Sequence, residues 1–431
     1  MNYYSTENRQ LSLSLKEAVL KGLAPDGGLF MPGSIPSLPP AQIQSFRSKS
    51  FPEISREVAI SLFHEDLTEP EILQITDAAI NFDTPLVKVE EGIYTLELFH
   101  GPTLAFKDVG ARFMARMLGH FTRGLDREIN VLVATSGDTG SAVASGFWNV
   151  EGIQVYILYP SGGVSQLQEK QLTTLGGNIT ALEVSGTFDD CQRLVKSAFL
   201  DQDLTEKLIL TSANSINLAR LLPQSFYYFN AWARLPENHE FYVSIPSGNF
   251  GNLTAGLIAG KMGLPVKHYI VATNVNDVVP EYLETGKFRP RPSIPTIANA
   301  MDVGNPSNFA RILDLYGHSH DAITAAMSAY SYIDDELRST IGEVYLRTGY
   351  LLDPHGAAGY RALKAHTPRE KGIPGVFLET AHPGKFSLTV EEVIQSTVEI
   401  PEQLQEASSK KKSSIALAAD FPDFKEYLLH L

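Results

Sequence analysis

Cysteine is almost absent from this sequence of 431 residues, because Cys191 is its single thiol. One cysteine forms neither an internal disulfide nor a cysteine-ligated metal cluster, which excludes a disulfide-stapled secreted scaffold. The sequence also lacks a run of about 18 apolar residues, so no membrane-spanning helix is predicted. Basic residues are in deficit: 35 Lys and Arg against 49 Asp and Glu give a net charge of −14. Because an acidic surface repels phosphate groups, neither a broad nucleic-acid-binding surface nor a contact with anionic membranes is expected.

Other absences narrow the class of protein further. The first eight residues are polar and lack the apolar core of a signal peptide, which together with the single thiol predicts a cytoplasmic protein. No H-E-x-x-H, C-x-x-C or G-x-S-x-G motif is present, so metal hydrolysis and serine-hydrolase chemistry lose support. The length predicts two large domains or three smaller ones, at about 150 residues each. The oligomeric state, a monomer or a small homo-oligomer, stays open.

Short apolar segments alternate with amphipathic ones from residue 84 onward. Such alternation is typical of parallel sheets covered by helices on both faces, and the length fits two sheets of this kind. In open parallel sheets, ligands bind at the carboxyl ends of the strands, so the loops there are expected to carry the chemistry. The predicted strands are residues 94–99, 131–134, 155–159, 180–184, 241–245, 267–272 and 375–378, and the predicted helices are 15–20, 106–120, 141–148, 165–175, 188–199, 226–232 and 253–262.

A lysine stands in the loop that follows the first of these strands. Lys107 lies among apolar residues at the predicted start of a helix. The positive end of the helix dipole and the apolar surroundings lower the pKa of such an amine, which favours a neutral nucleophile able to form a Schiff base. A lysine whose charged end reaches solvent is the alternative that this pattern leaves open.

Two further strand-to-helix loops combine glycine with polar residues. The first contains Ser136 and Thr139, and its hydroxyl and backbone N–H groups predict a site for a carboxylate; a tight turn that caps the helix is the alternative. The second contains Gly248 and Gly251, which permit close backbone approach and favour a phosphate cradle over a plain turn. Its spacing matches neither the Walker motif nor the dinucleotide fingerprint.

Two smaller groups of polar residues accompany these loops. The segment Asn214–Arg220 places amides, a hydroxyl and a guanidinium ahead of a predicted aromatic helix. Arg220 can bind a phosphate through two N–H groups, and its alternative is a surface ion pair. Thr380 follows the last predicted strand and can hydrogen-bond a ligand, with a turn hydroxyl as the alternative. His355 is predicted to have a structural role.

The order of these features resembles that of the fold-type II pyridoxal-phosphate enzymes, the tryptophan synthase β group. Several long motifs in one order are more specific than any one of them, and the resemblance covers nearly the whole chain. The segments that are similar to the threonine synthase family, in its longer microbial branch, are Gly22–Pro32, Glu97–Asp108, Ser136–Gly140, Pro246–Asn252 and Thr380–Pro383.

The resemblance implies an α/β fold with two twisted sheets flanked by helices, plus an N-terminal domain. It implies an N-terminal domain of residues 1–84, a large cofactor-binding domain of residues 85–110 and 215–431, and a small mobile α/β domain of residues 111–214. The small domain would move over the substrate and exclude water.

The resemblance also implies a role for each residue named above. Lys107 would hold the cofactor, pyridoxal 5′-phosphate, and move protons, while Thr380 would face the pyridine nitrogen. The cofactor phosphate would be bound by Gly248, Asn249, Phe250, Gly251 and Asn252. The substrate would be held at its carboxylate by Ser136 and Thr139, and at its phosphate by Asn214, Ser215 and Arg220. No metal is implied.

The implied reaction is the conversion of O-phospho-L-homoserine and water to L-threonine and phosphate, by γ-elimination and β-hydration, in the last step of threonine biosynthesis. One alternative is another fold-type II lyase, such as a threonine or serine dehydratase or an amino-acid phospho-lyase. The segment from Asn214 to Arg220 separates these, because dehydratases need no second phosphate clamp. The other alternative is a non-catalytic scaffold that binds phosphometabolites, which would hold no cofactor.

One residue departs from the pattern of the wider group. Many fold-type II enzymes carry Asn in the serine-glycine loop, near the 3′-oxygen of the cofactor, where this sequence has Asp138. A carboxylate beside a phenolate is repulsive unless a proton is shared. The sequence alone assigns no role to Asp138.

Overall fold

The computed structural model describes residues 1–236, 240–367 and 369–430. Strands within these ranges form three sheets, of three, six and five strands. In chain order the strands are β1 (Tyr3–Ser5), β2 (Ser12–Leu13), β3 (Phe30–Pro32), β4 (Leu86–Glu90), β5 (Ile93–Glu97), β6 (Ile129–Ala134), β7 (Ile153–Pro160), β8 (Ile179–Ser185), β9 (Ile209–Ser212), β10 (Phe241–Pro246), β11 (Val266–Thr273), β12 (Met327–Ser331), β13 (Gly375–Glu379) and β14 (Ile415–Ala418).

Helices connect most of the strands and cover the sheets. Several begin with a capping box, in which a serine or threonine side chain and an acidic residue three positions on satisfy the free N–H groups of the first turn, as Ser50 and Glu53 do for the third helix. The helices are α1 (Leu15–Lys21), α2 (Pro40–Ser45), α3 (Phe51–Phe63), α4 (Glu69–Ala79), α5 (Lys107–Phe121), α6 (Asp138–Phe147), α7 (Gln166–Thr173), α8 (Phe188–Leu200), α9 (Gln202–Lys207), α10 (Leu218–Leu221), α11 (Phe226–Arg234), α12 (Gly251–Lys261), α13 (Val278–Thr285), α14 (Phe309–Leu315), α15 (His320–Ala326), α16 (Asp334–Thr348), α17 (Pro354–Ala365), α18 (Ser387–Ile394), α19 (Glu402–Ser409) and α20 (Phe421–Leu429).

The two larger sheets confirm the predicted parallel architecture. The six-stranded sheet has the order β12-β11-β10-β13-β5-β4, and the five-stranded sheet has the order β14-β8-β7-β6-β9. Every neighbouring pair in them is parallel except β4 and β5. Only Glu91 and Gly92 join those two strands, and so short a connection permits only an antiparallel hairpin. Strands β6, β10 and β13 are buried along their whole length, which explains their continuous apolar sequences.

The predicted strands are all present, and their ends differ from the prediction by at most two residues. Two helices begin earlier than predicted, α6 at Asp138 instead of residue 141 and α12 at Gly251 instead of residue 253. In both cases the polar and glycine residues of the preceding loop already belong to the first helical turn. The polar groups of both loops therefore lie directly at a helix N-terminus.

The carboxyl-terminal segment departs from the predicted domain division. That division assigns residues 215–431 to the large domain, whereas β14 pairs in parallel with β8 in the five-stranded sheet. The pattern is hard to detect because only Leu417 in β14 is buried. The preceding Lys412 strengthens this attachment, since its Nζ lies 2.7 Å from Glu169 and 2.6 Å from Glu183. The remaining boundaries stay a prediction.

The connectivity brings four loops to one place. Helix α5 follows β5, α6 follows β6, α12 follows β10, and the short turn Pro383–Phe386 follows β13. Because carboxyl ends of parallel strands share one edge of a sheet, these loops converge between the two larger sheets. Among the described residues, no helix combines the length and apolar character needed to cross a bilayer.

Candidate active site

A cavity of about 720 Å³ lies where these loops meet. Every residue to which the sequence assigns a cofactor or substrate role lines it. The residues are Lys107, Ser136, Thr139, Asn214, Ser215, Arg220, Gly248, Asn249, Phe250, Gly251, Asn252 and Thr380. The structure thus brings together side chains from both larger sheets in a space of the size that small-molecule sites occupy.

Lys107 is the first residue of α5, and the loop before it is rigidly held. Its neighbour Asp108 is buried and accepts hydrogen bonds from the backbone N–H and the hydroxyl of Thr103, at 2.9 Å and 2.6 Å. The hydroxyl of Tyr227 donates to the carbonyl of Phe106. These bonds fix the backbone on both sides of the amine.

The environment of Lys107 favours a neutral amine. Burial lowers its pKa to about 8, and the positive charges of Arg220 and Lys385 act in the same direction, while Asp138 opposes them. Such an amine is partly unprotonated near neutral pH, as a nucleophile or a base requires. The reactive-lysine hypothesis is thereby supported over a solvated side chain.

The serine-glycine loop, residues 135–140, is braced from within. The hydroxyl of Thr135 accepts hydrogen bonds from the N–H groups of Gly137 and Gly140, at 2.9 Å and 2.8 Å. Gly137 has a φ of 138°, a conformation open essentially to glycine alone. Within the part of the chain that the structure describes, the hydroxyls of Ser136 and Thr139 have no protein partner and border the cavity. They are free to bind a ligand.

Asp138, the residue without an assigned role, is buried in an ion pair. Its Oδ1 lies 2.6 Å from Nζ of Lys385 and accepts a hydrogen bond from the Gln168 amide at 3.0 Å. Burial alone raises the pKa of this carboxyl, but the charges of Lys385 and Lys107 outweigh burial and hold it below its usual range. Asp138 is therefore an anion.

The asparagine-glycine loop, residues 247–252, is shaped by close backbone contact. A Cβ on Gly248 would lie 2.3 Å from the carbonyl oxygen of Ala300, so only glycine fits there. Phe250 adopts a left-handed conformation with a φ of 61°, which turns the chain into α12. Strain of this kind is found where a functional site over-determines the backbone. The first turn of α12 presents N–H groups that have no acceptor within the helix.

The same loop fits the phosphate of pyridoxal phosphate. Asn252 borders the cavity, and its Nδ2 is buried without a hydrogen-bond partner in the described structure. The hydroxyl of Tyr228 donates to Oδ1 of Asn252 at 2.8 Å and so orients the amide. A buried unpaired donor beside a helix N-terminus is a site that an anion satisfies.

Two side-chain amides near the loop share the hydroxyl of Ser215 as their acceptor. Nδ2 of Asn249 donates to the hydroxyl of Ser215 at 2.8 Å, and Asn308 donates to the same hydroxyl at 3.1 Å. Asn214 donates to the carbonyl of Ala134 at 3.1 Å. These side chains thus connect the loop 214–217 to both the asparagine-glycine and the serine-glycine loops.

Arg220 carries a positive charge that no carboxylate of the described residues contacts directly, although the charge of Asp108 acts to raise its pKa. Its side chain is 3% exposed, and in the described ranges it forms no ion pair with a carboxylate. One guanidinium N–H donates to the carbonyl of Ala213. Burial lowers its pKa to about 10, which leaves it charged at neutral pH. A buried, unpaired guanidinium that lines a cavity is a strong anion site.

Thr380 closes the opposite side of the cavity. Its carbonyl accepts from the N–H of Phe106 at 2.9 Å, which ties the end of β13 to the lysine loop. Its hydroxyl has no protein partner among the described residues. It is therefore free to bind the pyridine nitrogen, the role that the resemblance implies. Asp353 and His355 brace this wall, since Asp353 accepts from the N–H of Ala381 at 3.1 Å and from Nδ1 of His355 at 2.8 Å.

Several residues of the site were not predicted from the sequence. Arg311 is fully buried and donates to the carbonyls of Phe30, Ser215 and Ile216, so it fixes the loop that precedes Arg220. Burial lowers its pKa to about 9. In the sequence, Arg311 could be noticed only as a charged residue within the mostly apolar segment that forms α14. Gln168 and Lys385, the partners of Asp138, lie far from it in the sequence and gave no local signal.

The comparisons with known proteins agree with this site. Residues 79–374 match a family described as pyridoxal-phosphate dependent enzyme, residues 2–80 match the threonine synthase N terminus, and residues 356–428 match the threonine synthase C-terminal region. The threonine synthase of Haemophilus influenzae is 44% identical over 431 residues, with 100% of both chains covered. That of Escherichia coli is 41% identical over 432 residues, again with 100% of both covered.

Solved structures show the same likeness. The crystal structure of the Escherichia coli threonine synthase superposes with a TM-score of 0.94 over 100% of both chains, at 41% identity. A pyridoxal-phosphate-bound threonine synthase from Brucella melitensis gives a TM-score of 0.92 at 34% identity, over 100% of this chain and 99% of that one. A tomato threonine deaminase, with a TM-score of 0.55 and 15% identity, shares the fold alone.

The fold and the site define a fold-type II enzyme that depends on pyridoxal phosphate. The implied fold class and cofactor are thereby confirmed. The chain belongs to the threonine synthase family, and its activity is that of a lyase of threonine biosynthesis.

Proposed function

We propose that the cavity binds O-phospho-L-homoserine and that the enzyme converts it, with water, to L-threonine and phosphate. The observation that carries this proposal is the unpaired guanidinium of Arg220, which lines the same cavity as the amine of Lys107 and the asparagine-glycine loop. The loop supplies one phosphate site, for the cofactor, and Arg220 supplies a second. A substrate that carries its own phosphate needs that second site.

The residues around the cavity divide the binding of substrate among them. The free hydroxyls of Ser136 and Thr139 hold the substrate carboxylate, at the N-terminus of α6, where the helix dipole favours a negative group. Arg220 holds the substrate phosphate, with Asn214 and Ser215 lining the same wall. This arrangement orients the carbon chain of the substrate across Lys107.

Lys107 performs the proton transfers. Bound pyridoxal phosphate supplies an electron-withdrawing ring that stabilises negative charge on the substrate carbons. Lys107 would hold the cofactor, and its neutral amine would remove the α-proton of the substrate and later return a proton. Asn252 and the first turn of α12 would hold the cofactor phosphate, and the hydroxyl of Thr380 would bind the pyridine nitrogen. Arg220 stabilises the phosphate as it leaves.

We further propose a cytoplasmic location and a monomer or small homo-oligomer. The single cysteine, Cys191, is buried, and burial raises the pKa of its thiol to about 12, so it takes no part in disulfide chemistry. Every residue to which a cofactor or substrate role is assigned belongs to this chain.

Replacing Arg220 by Met tests the substrate assignment. Methionine keeps the packing of the side-chain stem and removes the charge, so we expect the KM for O-phospho-L-homoserine to rise about tenfold or more, as the loss of a hydrogen bond to a charged group requires. The absorbance of the bound cofactor should be unchanged. Threonine and phosphate should form in equal amounts with the native enzyme.

The matched control is Arg338→Met, which removes a surface arginine paired with Glu392 and should leave the KM unchanged. Release of phosphate without threonine would contradict the proposed reaction. Equal turnover of L-homoserine, L-serine or L-threonine and the phosphorylated substrate would favour a dehydratase instead.

A further inference from the structure

The buried carboxylate of Asp138 and the ammonium group of Lys385 form an ion pair between two loops that line the active site, the serine-glycine loop and the loop of Thr380. Both side chains are almost fully buried, with Asp138 6% and Lys385 3% exposed. Nζ of Lys385 lies 2.6 Å from Oδ1 of Asp138 and donates to the carbonyl of Thr103 at 2.8 Å. Burying two charges is costly unless they pair closely and their remaining hydrogen bonds are made. The two groups pair closely, and each makes one further hydrogen bond, Asp138 with Gln168 and Lys385 with Thr103.

The pair joins three segments that carry the chemistry. Asp138 opens α6 in the serine-glycine loop, and Lys385 lies in the turn Pro383–Phe386 that follows Thr380. Thr103 belongs to the loop that leads into Lys107, and its side chain bonds to Asp108 at 2.6 Å. Lys385 therefore connects elements of both larger sheets at the point where they surround the reactive amine.

The charged groups that face Lys107 come from three elements besides its own helix. Asp138 from α6 attracts a proton to the amine, while Arg220 from α10 and Lys385 repel it. On α5 itself, the carboxylate of Asp108 is turned to Thr103. The amine thus experiences one negative and two positive neighbours.

We propose that Lys385 is a positioning residue that sets the proton affinity of Lys107, by compensating the charge of Asp138 beside it. Without Lys385, the full negative charge of Asp138 acts on the amine and the repulsion by a second ammonium disappears. Both changes favour the protonated form of Lys107. Asp138 acts in the opposite sense, so removing its charge favours the neutral form.

The inference rests on Lys107 being the amine that captures the cofactor, as proposed above. The test uses the full-length protein freed of cofactor, mixed with pyridoxal phosphate at a series of pH values. Only the neutral amine attacks the aldehyde, so the capture rate, followed by the absorbance of the bound cofactor, falls as pH drops below the pKa of Lys107. The pH at half-maximal rate is the readout.

Three variants form a charge cycle. In Lys385→Met, the half-maximal pH should rise by about one unit, and in Asp138→Asn it should fall by a similar amount, as expected when a buried amine loses one charged neighbour. In the double variant the two effects oppose each other, so its half-maximal pH should lie between those of the single variants. The midpoint of thermal unfolding should fall in each single variant and recover in the double one, since no unpaired charge is then left buried.

Control variants separate this role from general damage. Lys412→Met removes another ion-paired lysine, outside the cavity, and should leave the half-maximal pH unchanged. Lys385→Arg keeps the charge, so its half-maximal pH should stay close to that of the native protein. If Lys385→Met does not fold, Lys385→Arg and the double variant are compared with Asp138→Asn instead.

Lowered unfolding midpoints with an unchanged half-maximal pH in both single variants would show that the pair is merely structural and would overturn the inference. A native protein that captures no cofactor would instead refute the role proposed for Lys107. The two failures are therefore distinguishable.

Discussion

Two of the loops that line the cavity with Lys107, the serine-glycine loop and the asparagine-glycine loop, begin alike but are held in place by different forces. Each follows a buried parallel strand and runs into the first turn of a helix, at Asp138 in the serine-glycine loop and at Gly251 in the asparagine-glycine loop. The asparagine-glycine loop contains no ionisable side chain. Its shape comes from close contact with the neighbouring backbone and from hydrogen bonds of its side-chain amides. The serine-glycine loop depends on a buried carboxylate and on Lys385.

Because of this difference, we expect the two loops to be sensitive to different kinds of substitution. A loop shaped by close contact responds to added volume, because a backbone neighbour cannot move aside as a flexible side chain can. A loop held by internal hydrogen bonds and paired charges responds to the loss of one partner, because the other is then left buried and unsatisfied. The following three substitutions, in order of decreasing expected effect, test that contrast.

Replacing Gly248 by Ala should have the largest effect. The new Cβ would lie 2.3 Å from the carbonyl oxygen of Ala300 and 2.9 Å from Cα of Met301. We expect the dissociation constant of pyridoxal phosphate, measured by absorbance titration, to rise roughly a hundredfold, since overpacking against backbone costs a few kcal/mol. In the control Gly251→Ala, the Cβ would lie 3.1 Å from Cβ of Ser215 and the effect should be far smaller. Similar losses in both variants would contradict the role of close contact.

Replacing Thr135 by Val tests the internal bracing of the serine-glycine loop. The N–H groups of Gly137 and Gly140 lose their acceptor, so the free energy of unfolding, measured with urea, should fall by about 2 kcal/mol. The control lies next to the other loop: the hydroxyl of Thr254 donates to the carbonyl of Phe250, which also accepts from the backbone N–H of Thr254. Thr254→Val should cost less, because that carbonyl keeps one donor. The reverse order would refute the comparison.

Replacing Asn252 by Asp should have the smallest of the three effects. The substitution removes the unpaired Nδ2 donor and adds a negative charge beside the proposed phosphate site, while Tyr228 can still donate to the remaining oxygen. We expect the dissociation constant of the cofactor to rise about tenfold, the effect of losing one charge-assisted hydrogen bond. An unchanged constant would show that the amide does not contact the phosphate.

The contrast between the loops also explains what the sequence could predict. The glycines of the asparagine-glycine loop and the helix after it stand together in the sequence and indicate a phosphate cradle, although the contacts with Ala300 and Ser215 are not visible there. Lys107 is recognisable because it stands among apolar residues, and Arg220 because it stands in a cluster of polar residues. The partners of Asp138 were not, because Gln168 and Lys385 reach it only through the packing of separate elements.

The same limit applies to the fold. The buried strands β6, β10 and β13 are apolar throughout and were found by composition alone. The edge strand β14 buries only Leu417, so its short sequence resembles a loop. Arg311 could be noticed as a charge within an apolar helix, but four of its five hydrogen bonds go to carbonyls of distant segments, those of Phe30, Ser215 and Ile216.

The pairing of β14 with β8 has a consequence for how the protein is made. The ribosome makes β14 more than half a chain length after β8. Until then, β8 is an edge strand of the nascent sheet, and its outer N–H and C=O groups are unpaired. An open strand of this kind invites pairing with other chains. We expect that shortening the protein ahead of residue 415 yields aggregates during synthesis, even though the cavity residues are all present.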